Sequence, residues 1–289
     1  MGWFSSACSF VGSFVSGVCS AACSVVKSVG SSLVSFASKA IGIVGNLATK
    51  AAGFIGMVAT LPLGPLGPIA GAILQQIVIH VASKMIEYLA KKLGIIEERD
   101  KVEEVGYRVE EAQEHDDWKR QEDFKSFEEY YAYLKEQIPD DKIDRKKLAA
   151  NRTEYTILGM MELTNGLENR TGIKMPEEFL FEIGRSRMEP NEILAIVDAF
   201  KFLGSDTVFI SDYLKGKLTR AENIRIEDAL LVSLRKYYPD KDDDYFHERL
   251  GVMRMASRDD MKLAEVYEDK LTDENIKRIE REGIIPEDL

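Results

Sequence analysis

Residues 9–56 read SFVGSFVSGVCSAACSVVKSVGSSLVSFASKAIGIVGNLATKAAGFIG, and the spacing within this stretch decides the fold class. Small residues recur at steps of three or four, which places them on one face of a continuous α-helix. A bulky apolar stripe from Phe10 to Phe54 runs beside them. A β-strand would need a period of two, which the stretch does not keep. The small face comprises Ser9, Ser13, Ser16, Ser20, Ser24, Ser28, Ser31, Ser35, Ser38, Gly42 and Gly45, and it continues through Thr49, Ala52 and Gly56.

The distribution of charge divides the chain in two. Residues 1–94 contain six lysines and a single carboxylate, Glu87, for a net charge of +5. Because the whole chain carries −11, residues 95–289 carry −16. A water-facing surface normally carries both signs of charge. We therefore predict that residues 1–94 are a hydrophobic helical segment that avoids water and that residues 95–289 are an acidic, soluble domain.

A proline-rich stretch, LPLGPLGP at 61–68, follows the long helix. Pro62, Pro65 and Pro68 cannot continue a helix at this spacing, so they predict a hinge that reverses the chain. Residues 69–93 then form a second, largely apolar helix. At about 1.5 Å per residue it would extend about 37 Å, more than the roughly 30 Å core of a bilayer. The segment is therefore predicted to be a long helical hairpin.

Serine and glycine are poor helix formers in water, which limits where the first helix can exist. In lipid, unpaired backbone groups are costly, so a helix forms whatever its propensity, and small residues let helices approach closely. Burial against partner subunits would favour the helix in the same way. Two interpretations stay open: a membrane-inserting segment whose serine face lines an oligomeric pore, or an element buried in a large protein assembly.

Residues 95–289 are predicted to be helical throughout, which makes the class all-α. A charged helix over 96–121 can continue the second apolar helix as a stalk, and Ser126 with Glu129 fits a capping box. Residues 206–210 (DTVFI) are the one strand-like stretch, and they are too short to carry a sheet. Further helices are predicted at 144–168, 176–184, 190–203, 222–237, 242–256, 259–270 and 273–282.

The sequence indicates no enzyme, cofactor or metal site. Asp240, Asp242, Asp244 and Glu248 resemble the start of a calcium loop, but Tyr245 occupies the place of its required glycine. The three cysteines, Cys8, Cys19 and Cys23, have no nearby histidine and are an odd number, which predicts neither a zinc site nor a disulfide framework. The charge of −16 argues against nucleic-acid binding by the carboxyl-terminal domain.

Taken together, the small-residue stripe and the proline corner of residues 9–93 resemble the glycine-zipper and hydrophobic-hairpin segments of bacterial pore-forming toxins. These include membrane-depolarising effectors of type VI secretion and, in their general hairpin arrangement, colicins. The resemblance implies delivery into a target-cell membrane, ion leakage and a dedicated immunity protein. It also implies a chaperone or secretion-tube component that shields the apolar helices in the producing cell.

The leading hypothesis is therefore a secreted pore-forming effector that acts as a homo-oligomer in a lipid membrane. The alternative is a structural component, or an ejected internal protein, of a phage or contractile injection assembly. In that case the hydrophobic arm would pack against partner subunits. A third interpretation is a scaffold anchored in a membrane without forming a pore.

Overall fold

A computed structural model of the protein describes residues 46–61, 67–272, 274, 275 and 278. In this part of the chain every regular element is a helix, and the predicted all-α class is confirmed. Two short 3₁₀ helices, Gln121–Asp123 and Asp140–Lys142, join longer ones. The α-helices are α1 (Asn46–Ala59), α2 (Gly67–Lys92), α3 (Val102–Glu114), α4 (Phe127–Gln137), α5 (Arg145–Ala150), α6 (Arg152–Thr171), α7 (Glu177–Arg185), α8 (Pro190–Leu203), α9 (Val208–Lys215), α10 (Arg220–Tyr237), α11 (Asp243–Arg258) and α12 (Asp260–Val266).

Several helix boundaries follow from local sequence. The Ser126 hydroxyl accepts a hydrogen bond from Glu129 N at the start of α4, as the capping box predicts. Pro190 occupies the first turn of α8, where its missing N–H leaves no bond unmade. Gly204 ends the same helix with a left-handed φ of 64°, a conformation that favours glycine.

Two sequence-based expectations are wrong. Residues 206–210 do not form a strand, because Val208 to Ile210 begin helix α9, whose Ile210, Tyr213 and Leu214 turn one face toward the core. The predicted stalk is also interrupted. Gly94 takes a left-handed φ of 71° and Ile95 N donates to Ala90 O at 2.8 Å, which ends α2 before α3 begins.

Glycines allow the central helices to cross at close range. A Cβ placed on Gly106 of α3 would lie 1.9 Å from Tyr155 O, and one on Gly159 of α6 would lie 1.9 Å from Val102 O. Gly184 of α7 meets α2 in the same way, since its Cβ would lie 2.3 Å from Val78 O. No larger side chain fits at these three crossings without moving a helix.

The main hydrophobic core extends through most of the described helices, and a smaller cluster consists of Tyr107, Ile138, Ile143, Leu148 and Tyr155. The main core includes Phe54 of α1 and Val78 of α2, together with Met160 of α6, Phe179 of α7 and Phe246 of α11. The apolar helices before residue 94 therefore pack against the helices of the acidic region, which supply much of the surface that covers them.

Candidate functional site

Most of the predicted site residues lie outside the described part of the chain. This holds for Pro62 and Pro65 and for the predicted pore-lining residues Ser9, Ser13, Ser16, Ser20, Ser24, Ser28, Ser31, Ser35, Ser38, Gly42 and Gly45, whereas Thr49, Ala52 and Gly56 of the same face lie on α1. Of the three hinge prolines, Pro68 is described, as the second residue of α2. The site that can be built from contacts is thus the pair of helices α1 and α2 and the residues that enclose it.

Helix α1 buries a stripe along one face. The stripe consists of four residues separated by three, one and three positions: Ala51, Phe54, Ile55 and Val58. Each of these side chains is at most 2% exposed. Such spacing directs the side chains to one side of a helix. This side packs against α6 and α7.

Helix α2 is buried around its whole circumference in its first half. All residues from Ala72 to Ile79, more than two helical turns, are buried. A helix that is apolar on every side is the kind found at the centre of a protein or in a membrane. Beyond His80 the helix becomes amphipathic, and Tyr88 is 48% exposed.

The second half of α2 carries Lys84, Glu87, Lys91 and Lys92. Across the described ranges, 46–61 and 67 onward, we find no helix whose length and apolar character together suffice to span a bilayer. Helix α2 is about as long as the helix predicted over residues 69–93. Its continuous apolar part is shorter, because charged residues occupy its second half.

A buried ion pair joins α1 to the acidic region. Lys50 Nζ donates to Glu168 Oε1 at 2.7 Å and to Asn165 Oδ1 at 3.2 Å, and both residues lie on α6. Glu168 also accepts the backbone N–H of Met175 at 2.7 Å, at the start of the segment leading into α7. Charges removed from water persist where such partners satisfy them. One lysine of the basic residues 1–94 is thus paired with a carboxylate of the acidic residues 95–289.

The one carboxylate in the first 94 residues also joins helices. Glu87 Oε2 accepts the backbone N–H of Val102, the first residue of α3, at 2.9 Å. Its other oxygen pairs with Lys91 at 2.8 Å. A carboxylate at a helix amino terminus satisfies a free N–H and interacts favourably with the helix dipole. Glu87 therefore fixes α3 against α2.

Glu162 of α6 is a second buried carboxyl beside α1, and it is poorly satisfied. Burial raises the pKa of Glu162 to about 7, although a hydrogen bond with Asn165 and the charge of Lys50 act to lower it. Burial is also the largest cause of the raised pKa of the Tyr130 phenol on α4, with the Glu162 charge adding to it. Within the described residues Glu162 Oε2 has no hydrogen-bond partner.

Two glutamines interrupt the buried half of α2. Gln75 is fully buried and donates from Nε2 to Leu61 O at 3.4 Å, while Gln76 is 6% exposed. Neither Oε1 atom has a partner in the part of the chain that the structure describes. Each unsatisfied buried group costs on the order of 1–3 kcal/mol. The packing of α2 is consequently less favourable than that of a wholly apolar helix.

The calcium-like stretch and other side chains capable of acid, base or nucleophilic chemistry make structural contacts. Asp242 caps α11 by accepting from Tyr245 N at 3.0 Å, and no cluster of metal-ligating side chains occurs among the described residues. His115 stacks on Trp118 with ring centroids 4.3 Å apart. Ser211 and Lys215 lie 2.8 Å apart, but the ammonium group also pairs with the buried Glu182 at 3.1 Å, which makes them part of a structural network.

Sequence patterns did not identify Glu162, Asn165 and Glu168 as partners of α1. The available signal is weak: acidic residues inside an otherwise apolar stretch of α6. In comparisons with known proteins, no family model, no curated protein and no solved structure matches the chain. A functional assignment therefore depends on the contacts of α1 and α2 described above.

Proposed function

We propose that this protein is a secreted, membrane-inserting effector whose amino-terminal helices oligomerise into a pore in a target membrane. In this proposal the acidic helices form a soluble store for α1 and α2 before they meet lipid. The observation that carries the proposal is the burial of most of α1 and α2, whose one carboxylate is Glu87, against the helices of a strongly acidic region. Residues 9–45 would supply the serine and glycine face that lines the lumen.

The contacts around α1 and α2 suit a stored state better than a permanent core. Gln75, Gln76 and Glu162 each leave a buried oxygen without a described partner, and Lys50 is held by an ion pair rather than by apolar packing. Such groups lower the free energy required to separate the helices. In the proposal a chaperone or secretion-tube component shields residues 1–45 in the producing cell. An immunity protein protects that cell from the effector.

Deleting residues 1–94 would be a poor test, because α1 and α2 fill the core of the remaining helices. A reversible disulfide between α1 and α7 avoids this problem. A Cβ built on Gly53 lies 2.8 Å from Glu177 Cγ. Since one C–C bond separates this Cγ from its own Cβ, the two Cβ atoms lie no farther apart than the roughly 4.5 Å that a disulfide spans.

The test compares dye and ion release from liposomes by Gly53→Cys/Glu177→Cys in its oxidised and reduced forms. Cys8, Cys19 and Cys23 are replaced by serine in every variant, and Glu177→Cys alone is the matched control, because a Cβ on Gly53 would lie 2.6 Å from Glu177 Oε1. We expect leakage from the reduced double variant, leakage from the control under both conditions, and none from the oxidised form. Equal leakage from the oxidised and reduced forms would refute the proposal. No leakage from any form would favour a structural role in a phage or injection assembly.

A further inference from the structure

A large aromatic side chain protrudes where α8 ends. Phe202 is 84% exposed, and Val232 of α10 is 64% exposed. Helices α8 and α10 are antiparallel neighbours, because Lys236 pairs with Asp198 at one end and Arg225 Nη2 donates to Leu203 O at 3.4 Å at the other.

The same pairing places the two exposed side chains together. Phe202 follows Asp198 by one turn in α8, and Val232 precedes Lys236 by one turn in α10. Residues four apart share a helix face. Phe202 and Val232 therefore lie on the same outer side of the helix pair.

A largely apolar groove lies where α8 ends. It has a volume of about 120 Å³ and is lined by Phe200, Leu203, Ser205, Phe209, Leu218, Glu222, Arg225 and Ile226. A cavity of about 150 Å³ is known to accept a benzene ring. The groove is thus of the size that an aromatic side chain fills, and because Leu203 lines it, the groove and Phe202 are adjacent.

The charge around these features is balanced, unlike the rest of the acidic region. Residues 198–236 contain seven basic and six acidic side chains, a net charge of +1, so the remainder of 95–289 carries −17. Two copies of such a domain repel each other over most of their surfaces. This repulsion is weakest where residues 198–236, which carry Phe202 and the groove, meet the same residues of a second copy.

We propose that two copies of the chain associate through this face, with Phe202 of each copy inserted into the groove of the other. A two-fold contact requires a patch that is complementary to itself, and here a protrusion and a matching groove lie side by side. Aromatic side chains in central pockets dominate the affinity of such contacts. The contact gives the assembly step that the proposed pore function requires, but its existence can be tested without a membrane.

The test is sedimentation velocity of the full chain over a range of concentrations, without lipid. Phe202→Ser removes the protruding ring, and Ser205→Phe fills the groove from within. The matched control is Met255→Ser, since Met255 is 48% exposed on α11 and does not line the groove. Circular dichroism verifies that each variant is folded.

We expect the wild type and Met255→Ser to dimerise, and each of the other two variants to dimerise at least about tenfold more weakly. An equimolar mixture of Phe202→Ser and Ser205→Phe should recover a heterodimer, because one insertion remains possible. A wild-type monomer at every concentration, or a Phe202→Ser dimer of unchanged affinity, would overturn the proposal. Lipid binding that depends on Phe202 in a monomeric chain would assign the face to a membrane instead, and would overturn it too. Loss of leakage with an intact dimer would count against the pore function alone.

Discussion

Lys50 of α1 and Glu168 of α6 form a buried ion pair with 2.7 Å between Nζ and Oε1, although 118 residues separate them. The side chains are 9% and 5% exposed, so water screens the interaction little. Because removing one partner of a buried pair leaves the other charge uncompensated, this contact is a sensitive test of how α1 is held.

Substituting Lys50→Met should lower the free energy of unfolding by about 3 kcal/mol, the low end of the range for broken buried pairs, because Glu168 keeps Lys174 and Met175 N as partners. Urea unfolding monitored by circular dichroism measures the change. Lys92→Met is the control, since exposed Lys92 donates to Asn191 Oδ1 at 3.3 Å and lies over the Tyr88 ring, and its loss should change stability by less than about 0.5 kcal/mol. Equal effects of the two substitutions would contradict the assigned role of Lys50.

The crossing of α2 and α7 should not tolerate a methyl group. In Gly184→Ala the new Cβ would meet Val78 O at 2.3 Å and Val78 Cγ1 at 2.9 Å, so the helices must separate. We expect a loss of about 3 kcal/mol, as for overpacked cores, and a lower melting temperature by calorimetry. Gly56→Ala is the counterpart on α1, where a Cβ meets nothing within 4 Å, and it should be neutral or stabilising. A stable Gly184→Ala protein would show that α2 and α7 do not cross this closely.

Glu162 should make stability depend on pH. Because its pKa is about 7 in the folded state and 4.5 is the ordinary value, the folded state binds more protons between these limits. The free energy of unfolding should therefore fall by up to roughly 3 kcal/mol as pH rises from about 4.5 to about 7. Above about pH 7 the contribution of Glu162 should no longer change with pH.

The difference between wild type and Glu162→Gln isolates this contribution. The variant should have nearly wild-type stability at pH 5 and should be the more stable protein at pH 8, because it removes a buried charge. Unfolding curves at pH 5, 6, 7 and 8 measure both proteins. Parallel pH profiles would exclude Glu162 as the group responsible.

Local signals explain which parts of the fold the sequence predicts well. The all-α class, the cap at Ser126 and the helix end at Gly204 depend on residues within four positions of each other. Residues 206–210 were misassigned because Val208, Phe209 and Ile210 have strand propensity, whereas burial of Ile210 and Tyr213 on one face favours the helix.

The site could be predicted only in part, because its contacts are distant in sequence. The shortage of carboxylates before residue 94 predicts that this segment avoids water, and the structure buries one face of α1 and residues 72–79 of α2. The shortage does not reveal that Glu168 receives Lys50 or that Gly184 approaches Val78, since nothing in a single sequence pairs such residues. The pore-lining prediction for the small face, Ser9 to Gly45, stays a prediction.

The central claim is that α1 leaves its buried position for lipid, and a fluorophore on residue 56 tests it most directly. Gly56→Cys and its control Gly251→Cys both place the new side chain where nothing lies within 4 Å, on α1 and α11 respectively. Each labelled protein is mixed with vesicles that contain nitroxide-labelled lipids. We predict strong quenching at residue 56, little at residue 251, and none at residue 56 when α1 is joined to α7 by the oxidised disulfide. An unquenched residue 56, or equal quenching at both positions, would contradict the account.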